Sequence, residues 1–167
     1  AQISGNSLFF DYLISIIIIF IGTGLINFVN FMDGLDGLLG SSMLIIIGII
    51  SIKSNLDISP FVGIIFGFLI FNWPPAKIFM GDIGSTFFAA ILLGLIFDTK
   101  ETNIVFSRLL ITLPLLGDAI FTVFFRLINN QTLFKPHRLH LFQRLNIAGW
   151  SHLKVTSLYT FMTMGLS

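Results

Sequence analysis

Long apolar stretches without charged side chains are the feature of this sequence that most restricts its fold. The stretch from Tyr12 to Met32 contains no charged residue, and about 20 consecutive apolar residues are enough for a helix to cross a bilayer. Charged residues make up only 10% of the 167 positions, whereas soluble domains carry about 25%. We therefore expect an all-α fold, a polytopic transmembrane helical bundle that forms a single membrane domain over residues 1–167. About six spans of this length are predicted, at residues 8–29, 38–53, 59–73, 83–97, 104–127 and 153–167.

Short polar clusters interrupt the apolar stretches at residues 27–37, 71–85 and 135–145. They follow the first, third and fifth predicted spans, so strict alternation places all of them on one side of the membrane. Most of the basic residues fall on the same side, which is the cytoplasmic side by the positive-inside rule. The sequence therefore predicts that these clusters meet at one membrane face.

The first cluster carries asparagine or aspartate at every third position, at Asn27, Asn30, Asp33 and Asp36. On a helix, this spacing turns each successive side chain by about 60°, so neighbouring members share a face. Capping of a helix end is the structural alternative. Two amides and two carboxylates exceed what a cap needs, and polar groups at membrane depth are costly unless they line a wet cavity. We therefore favour a polar cleft, which Gly34 allows a ligand to approach closely.

The second cluster combines Asn72, the pair Pro74 and Pro75, Lys77 and Asp82. The prolines are expected to end the incoming helix, because proline lacks a donor N–H and restrains the residue before it. Asp82 lies directly before the next apolar stretch, where it can cap a helix. A carboxylate there can also bind Mg²⁺ while neighbouring N–H groups face phosphate oxygens, and the two roles are compatible.

The third cluster is basic, with Lys135, His137, Arg138, His140 and Arg144 within ten residues. A loop that only fixes the topology is the alternative, but topology does not require two histidines. Arginine can bind a phosphate with two hydrogen bonds, and imidazole can donate another. Because the chain has no cysteine, oxygen ligands and Mg²⁺ are favoured over zinc.

Asp118 is a further polar residue, inside the fifth apolar stretch. It lies eight residues before Arg126, which is too far for a pair on neighbouring helical turns. A structural hydrogen bond between helices and a role in the cavity fit this residue equally well.

The overall charge restricts the partners of the chain. There are 9 Lys and Arg residues against 8 Asp and Glu, which gives a net charge of +1. A field this weak would not recruit nucleic acid, so we expect no nucleic-acid partner. The lipid bilayer and ligands of the polar clusters are the expected partners.

The order and spacing of the motifs resemble a known family. N-x-x-N-x-x-D-G-x-D-G-L begins at Asn27, F-N-x-x-P-A-K-I-F-M-G-D-x-G-S at Phe71, and H-R-x-H-x-x-Q-R-L at His137, with G-W-S-H following. This set is similar to the polyprenyl-phosphate N-acetylhexosamine-1-phosphate transferases, also called glycosyltransferase family 4. The H-R-x-H form resembles the branch that initiates O-antigen and other polysaccharides more than the peptidoglycan enzyme, whose loop carries consecutive histidines.

The resemblance implies a reaction and a location. The family transfers a sugar 1-phosphate from a UDP-N-acetylhexosamine to undecaprenyl phosphate and releases UMP at the cytoplasmic face of the bacterial inner membrane. It implies Mg²⁺ as the cofactor, with Mn²⁺ as a substitute, and allows a homodimer. Residues 129–152 are expected to help select the sugar.

The resemblance also implies roles for individual residues. Asp82 would bind the metal with Asn72 close to it, and Phe79 would stack on uracil. The implied catalytic residues are Asp82, Asp33, Asn30, Asn72, His137, Arg138 and His140. The implied substrate-binding residues are Asn27, Gly34, Leu35, Asp36, Phe79 and Lys77.

The sequence departs from the family pattern in one respect. Family members are longer and carry an adjacent Asp-Asp pair in their amino-terminal half, whereas this chain has no adjacent aspartates. We therefore expect a carboxy-terminal fragment that is not catalytically competent alone. Two other classes stay open: a cation-coupled transporter with acidic residues inside the bundle, and an inactive structural remnant.

Overall fold

A computed structural model describes residues 3–132, 135 and 137–167, with side chains described from Leu8 onward. Every regular element in this part of the chain is an α-helix, which confirms the predicted all-α class. The helices are α1 (Ile3–Phe31), α2 (Leu38–Ser54), α3 (Ser59–Asn72), α4 (Gly81–Phe97), α5 (Thr102–Ile128), α6 (Leu141–Ile147) and α7 (His152–Gly165).

Local sequence signals explain several helix ends. Gly37 precedes α2 with a φ of 73°, a left-handed conformation that glycine adopts without steric cost. Pro60 lies in the first turn of α3, where the missing N–H group would have no helical partner. The same helix ends at Asn72, just before Pro74 and Pro75, as the sequence predicts.

Helix α2 lies at the centre of the bundle and packs against α3, α4, α5 and α7, while α1 packs against α4 and α5. Its side chains Leu39, Met43 and Ile47 are fully buried. A hydrogen bond of 2.9 Å between the hydroxyl oxygens of Ser41 and Thr160 joins α2 to α7. The bundle thus surrounds α2 and brings the helix ends that carry the polar clusters close together.

Within the described residues, two helices are long and apolar enough to cross a membrane, namely Leu8–Phe31 of α1 and the whole of α5. The helices α2, α3 and α4 are also apolar but have only 17, 14 and 17 residues. The count of about six spans therefore stays a prediction, since short helices need polar flanks or a thinner bilayer. Large apolar side chains cover the outside of the bundle, including Ile83 at 89% exposure and Ile128 at 76%.

The structure differs from the sequence-based expectations at three places. Helix α1 ends at Phe31, so Asp33 and Asp36 lie in the following loop and only the first two members of the Asx row keep the helical spacing. Asp82 is the second residue of α4 rather than its cap. The segment 129–152, interpreted from sequence as a loop, contains the seven-residue helix α6.

Candidate active site

Two carboxylates from the first and second polar clusters lie near each other. Asp33 follows α1 and Asp82 lies in the first turn of α4. Burial raises the pKa of Asp33 to about 6, and the negative charge of Asp82 contributes in the same direction. The backbone N–H group of Gly81 donates to Asp33 and opposes this shift. A carboxylate that is partly buried beside a second carboxylate is a place where a nearby cation would favour the ionised form.

The contact between α1 and α4 places a second pair of polar residues beside these carboxylates. The hydroxyl group of Ser85 donates a hydrogen bond to Oδ1 of Asn30. Ser85 is fully buried and also donates to the carbonyl oxygen of Gly81, at 3.0 Å. Asn30 is therefore fixed at the α1–α4 contact, whereas Asn27, one turn earlier on α1, is exposed.

Asn72 connects the loops that contain the first and second clusters. Its Oδ1 accepts a hydrogen bond of 3.0 Å from the backbone N–H of Gly37. Its Nδ2 donates to the carbonyl oxygen of Ile78, at 2.8 Å. Asn72 is 4% exposed, so its amide serves the backbone of both loops.

Asp36 connects these two loops to α7. Its Oδ2 accepts a hydrogen bond of 3.1 Å from the backbone N–H of Ala76. The same oxygen lies 3.2 Å from Nδ1 of His152. The hydroxyl group of Thr156 donates to the backbone carbonyl of Asp36, at 2.8 Å. The His152 contact was missed by the sequence analysis, although the G-W-S-H motif pointed to this position.

Asp118 fixes the start of α6, which confirms the first of the two sequence-based alternatives, a hydrogen bond between helices. Its two carboxylate oxygens accept the backbone N–H groups of Leu141 and Phe142, at 2.8 and 3.1 Å. The hydroxyl group of Tyr159 donates to Oδ2 at 2.5 Å, and that of Thr122 to Oδ1 at 3.3 Å. Asp118 is 3% exposed, so this network lies inside the bundle.

The two histidines of the third cluster have different environments. His140 is buried, and its Nδ1 lies 3.5 Å from Oδ1 of Asp118. Its ring stacks on Phe142 with centroids 5.6 Å apart and lies 6.0 Å from the ring of Phe31. His137 is half-buried, with its ring centroid 5.1 Å from that of His140. The Phe31 contact places the third cluster beside the end of α1, next to the first cluster.

Arg126 supports the segment that leads into the third cluster. Its Nη2 donates to the carbonyl oxygens of Thr132 and Lys135, the latter at 3.3 Å. Burial lowers the pKa of His137, and the charges of Arg126 and His140 lower it further. His137 is therefore neutral near pH 7, where its imidazole can both donate and accept a hydrogen bond.

A cavity of about 270 Å³ joins the first cluster to the third. The aromatic ring of Phe142 lies so close to Gly34 that an added Cβ would be 2.8 Å from it. Only glycine therefore allows this approach of the two segments. The residues that line the cavity are Gly34, Leu35, Arg138, Gln143, Asn146, Ile147 and His152.

The described lining of this cavity includes no residue of the second cluster, and two members of that cluster are open to the surroundings. Lys77 and Phe79 are exposed, and Phe79 keeps 74% of its surface accessible. The backbone N–H groups of Lys77 and Ile78 both donate to the carbonyl oxygen of Phe71, at 2.7 and 3.2 Å. The loop is thus fixed by its backbone, and the stacking role of Phe79 stays a prediction.

The donor set of the site fits a small hard cation. Asp33 and Asp82 offer carboxylate oxygens, and Mg²⁺ is usually bound by one or two carboxylates together with water and phosphate oxygens. In the described part of the chain, no group of three or more His, Cys, Asp or Glu residues forms a metal-binding arrangement.

Comparison with known proteins gives relatives of two kinds. The model of glycosyl transferase family 4 matches residues 2–100. A Bacillus subtilis protein described as a probable undecaprenyl-phosphate N-acetylglucosaminyl 1-phosphate transferase is 37% identical over 91 residues, which cover 52% of this chain and 25% of the relative. A phospho-N-acetylmuramoyl-pentapeptide-transferase of Bacillus licheniformis is 34% identical over 176 aligned positions, which cover 99% of this chain and 53% of the relative. The chain thus spans about half the length of this relative, or less in the first case.

Proposed function

We propose a function from the premise that this chain belongs to glycosyl transferase family 4: transfer of a sugar 1-phosphate from a UDP-N-acetylhexosamine to a polyprenyl phosphate, with release of UMP. The main observation that supports this function is that three polar segments, distant in sequence, meet at one end of the bundle. Asp36 contacts Ala76 of the second cluster and His152 after the third. The relatives described above are named as transferases of sugar phosphates, which supports the same class.

The carboxylates Asp33 and Asp82 would hold Mg²⁺, for which Mn²⁺ can substitute. When bound, the ion would offset the negative charge of the nucleotide's phosphates and the charge that develops on the leaving group. Support comes from the raised pKa of Asp33, because a cation bound beside this buried carboxylate would stabilise its ionised form.

The cavity between the first and third clusters would bind the UDP-sugar. Arg138 lines it and can bind a phosphate with two hydrogen bonds. The neutral His137 can donate to a phosphate oxygen, while the ring of the buried His140 packs against the ring of His137 and supports its position. His152, which also lines the cavity and is held by Asp36, would orient the nucleoside.

The acceptor would be a polyprenyl phosphate that reaches the site from the surrounding bilayer. The apolar outer surface of the bundle fits a membrane environment, and the excess of basic residues at the site end favours the cytoplasmic face. An anionic lipid headgroup at this interface would meet Arg138 and the other basic residues of the third cluster. A location in the bacterial inner membrane follows from this proposal.

We further propose that the protein belongs to the branch that initiates polysaccharide synthesis and uses UDP-GlcNAc or a related N-acetylhexosamine. The H-R-x-H form at His137 supports this branch, and so does the first relative, whose name includes N-acetylglucosaminyl. A panel of UDP-sugars tested on the full-length protein would decide the sugar. Turnover of UDP-N-acetylmuramoyl-pentapeptide alone would contradict the assignment to this branch.

Release of UMP from UDP-GlcNAc by the full-length protein, with undecaprenyl phosphate and Mg²⁺, tests the reaction. Asp82→Asn should lower the rate at least about a hundredfold, as expected when a major electrostatic group of the transition state is lost. Asp98→Asn is the matched control, since Asp98 is exposed at the opposite end of α4. Equal rates for both variants would contradict the role of Asp82, and absence of UMP with every sugar tested would contradict the function.

A further inference from the structure

A second cavity lies at the end of the bundle opposite the candidate active site. It has a volume of about 410 Å³ and forms where α2 and α4 end and α5 begins. None of the residues assigned above to the reaction lines it. Its lining includes the charged residues Lys53, Asp98 and Arg108 and the apolar residues Ile50, Ile104 and Ile111.

A buried arginine forms the inner wall of this cavity. Arg108 is 7% exposed, and its Nη2 donates to the hydroxyl oxygen of Ser54 at 2.6 Å. Its Nη1 donates to the carbonyl oxygen of Leu95 in the last turn of α4. These bonds fix the guanidinium and use two of its five N–H donors. The remaining donors can serve a ligand in the cavity.

The charges around the cavity favour an anion. Lys53, in the last turn of α2, and Arg108 contribute two positive charges, and Asp98 contributes one negative charge. In the part of the chain that the structure describes, no carboxylate lies within ion-pair distance of either cation. A buried cation without a carboxylate partner is costly, so an anion bound here would stabilise the protein.

The other side chains favour an anion that carries a hydrocarbon chain. Ile50, Ile104 and Ile111 form an apolar part of the cavity, and Ser107 and Thr99 belong to its polar part. The outer surface of α5 near the cavity is also apolar and includes the side chain of Phe106, at 67% exposure. A free phosphate would use only the polar part, whereas a phospholipid would use both.

We propose that this cavity binds an anionic phospholipid, with the phosphate at Lys53 and Arg108 and the start of an acyl chain against the isoleucines. The arginine supplies geometry, because its planar guanidinium donates to two phosphate oxygens at once. The lysine supplies a point charge at the mouth of the cavity. The site is separate from the proposed transfer reaction and stands if that reaction is wrong.

Native mass spectrometry of the full-length protein in neutral detergent tests the proposal. The dissociation constant of the first bound phosphatidylglycerol is compared with that of phosphatidylcholine. Arg108→Lys keeps the charge but loses the two-point contact, and Lys53→Gln removes the outer charge. Lys100→Gln is the matched control, because Lys100 is an exposed cation at the same end of the bundle outside the lining residues. Inorganic phosphate serves as a competitor.

Phosphatidylglycerol should bind more tightly than phosphatidylcholine, and Arg108→Lys should weaken its binding about tenfold, the loss expected for one charge-assisted hydrogen bond. Lys53→Gln should also weaken the binding of phosphatidylglycerol, and Lys100→Gln should leave it unchanged. Equal binding of the two lipids, or wild-type binding by Lys53→Gln and Arg108→Lys, would overturn the proposal. Displacement of the lipid by millimolar phosphate would assign the site to free phosphate and overturn the lipid as its ligand. If Arg108→Lys fails to fold, Lys53→Gln decides.

Discussion

Replacement of Asp118 by asparagine tests whether this carboxylate fixes α6 and, through it, the third cluster. The carboxylate accepts the backbone N–H groups of Leu141 and Phe142 on different oxygens. Asparagine has the same shape but only one oxygen, so in either orientation at least one of these N–H groups loses its acceptor. Tyr159 donates to Oδ2 of Asp118 at 2.5 Å, so its hydroxyl group loses this acceptor in the orientation that places the amide nitrogen at the Oδ2 position.

The expected size of the effect follows from the lost hydrogen bond. A hydrogen bond to a charged group contributes about 1.5–3 kcal/mol, so the free energy of local opening of α6 should fall by about 2 kcal/mol. At about 1.4 kcal/mol per factor of ten, amide hydrogen exchange in residues 141–147 should become about thirtyfold faster. Exchange in the distant helix α3 should not change, because the effect is a local opening rather than global unfolding.

Hydrogen–deuterium exchange of the full-length protein, followed by mass spectrometry of the peptide that covers α6, measures this effect. Thr122→Val is the control, because Thr122 makes only the longest bond to Asp118, at 3.3 Å, and contacts no N–H group of α6 in the described network. In Thr122→Val, amide exchange of residues 141–147 should stay close to that of the wild type. Unchanged exchange of residues 141–147 in Asp118→Asn would refute the reasoning and show that α6 is held by other contacts.

Three further predictions concern the candidate site. Since the pKa of Asp33 is raised from 3.8 to about 6, the folded state binds the proton of this carboxyl group more tightly than the unfolded state does. With a chelator present to remove divalent cations, the thermal stability of the protein should therefore fall as the pH rises from 3.8 to about 6. Asp33→Asn should abolish this fall. Gly34→Ala places a Cβ 2.8 Å from the ring of Phe142 and should destabilise the protein by about 1–3 kcal/mol and raise KM for the UDP-sugar; wild-type KM would contradict the cavity assignment. Asn72→Leu removes both loop hydrogen bonds and should destabilise by about 1–3 kcal/mol in denaturant unfolding, whereas a loss of activity without loss of stability would indicate a direct catalytic role.

The helices could be predicted from the sequence, because their boundaries depend on local signals. Five of the six predicted spans match helices to within about two residues, within the usual uncertainty of boundaries, and α3 ends before its proline pair as expected. Helix α6 could not be predicted, since its seven residues are too few to be stable alone. Its start depends on Asp118, which lies 23 residues earlier in the chain.

The members of the site could be predicted better than their roles. The motifs identified the three segments that the structure brings together, through contacts such as Asp36 with Ala76. A motif does not tell which polar atoms face a cavity and which serve the backbone. Asn72 illustrates the second case, and His152 illustrates a residue whose partner, Asp36, is 116 positions away in sequence. Such pairs depend on tertiary packing, which no local pattern contains.

An experimental structure of the full-length protein with Mn²⁺ and a UDP-sugar tests the central claim most directly, namely that the three clusters form one metal-dependent nucleotide site. The anomalous scattering of manganese locates the ion without reference to the model of the protein. We predict a peak at about 2.1 Å, the distance typical of a small octahedral cation, from a carboxylate oxygen of Asp82, with the diphosphate between it and Arg138. A peak remote from Asp33 and Asp82, or a nucleotide bound away from the cavity at Gly34, would contradict the account.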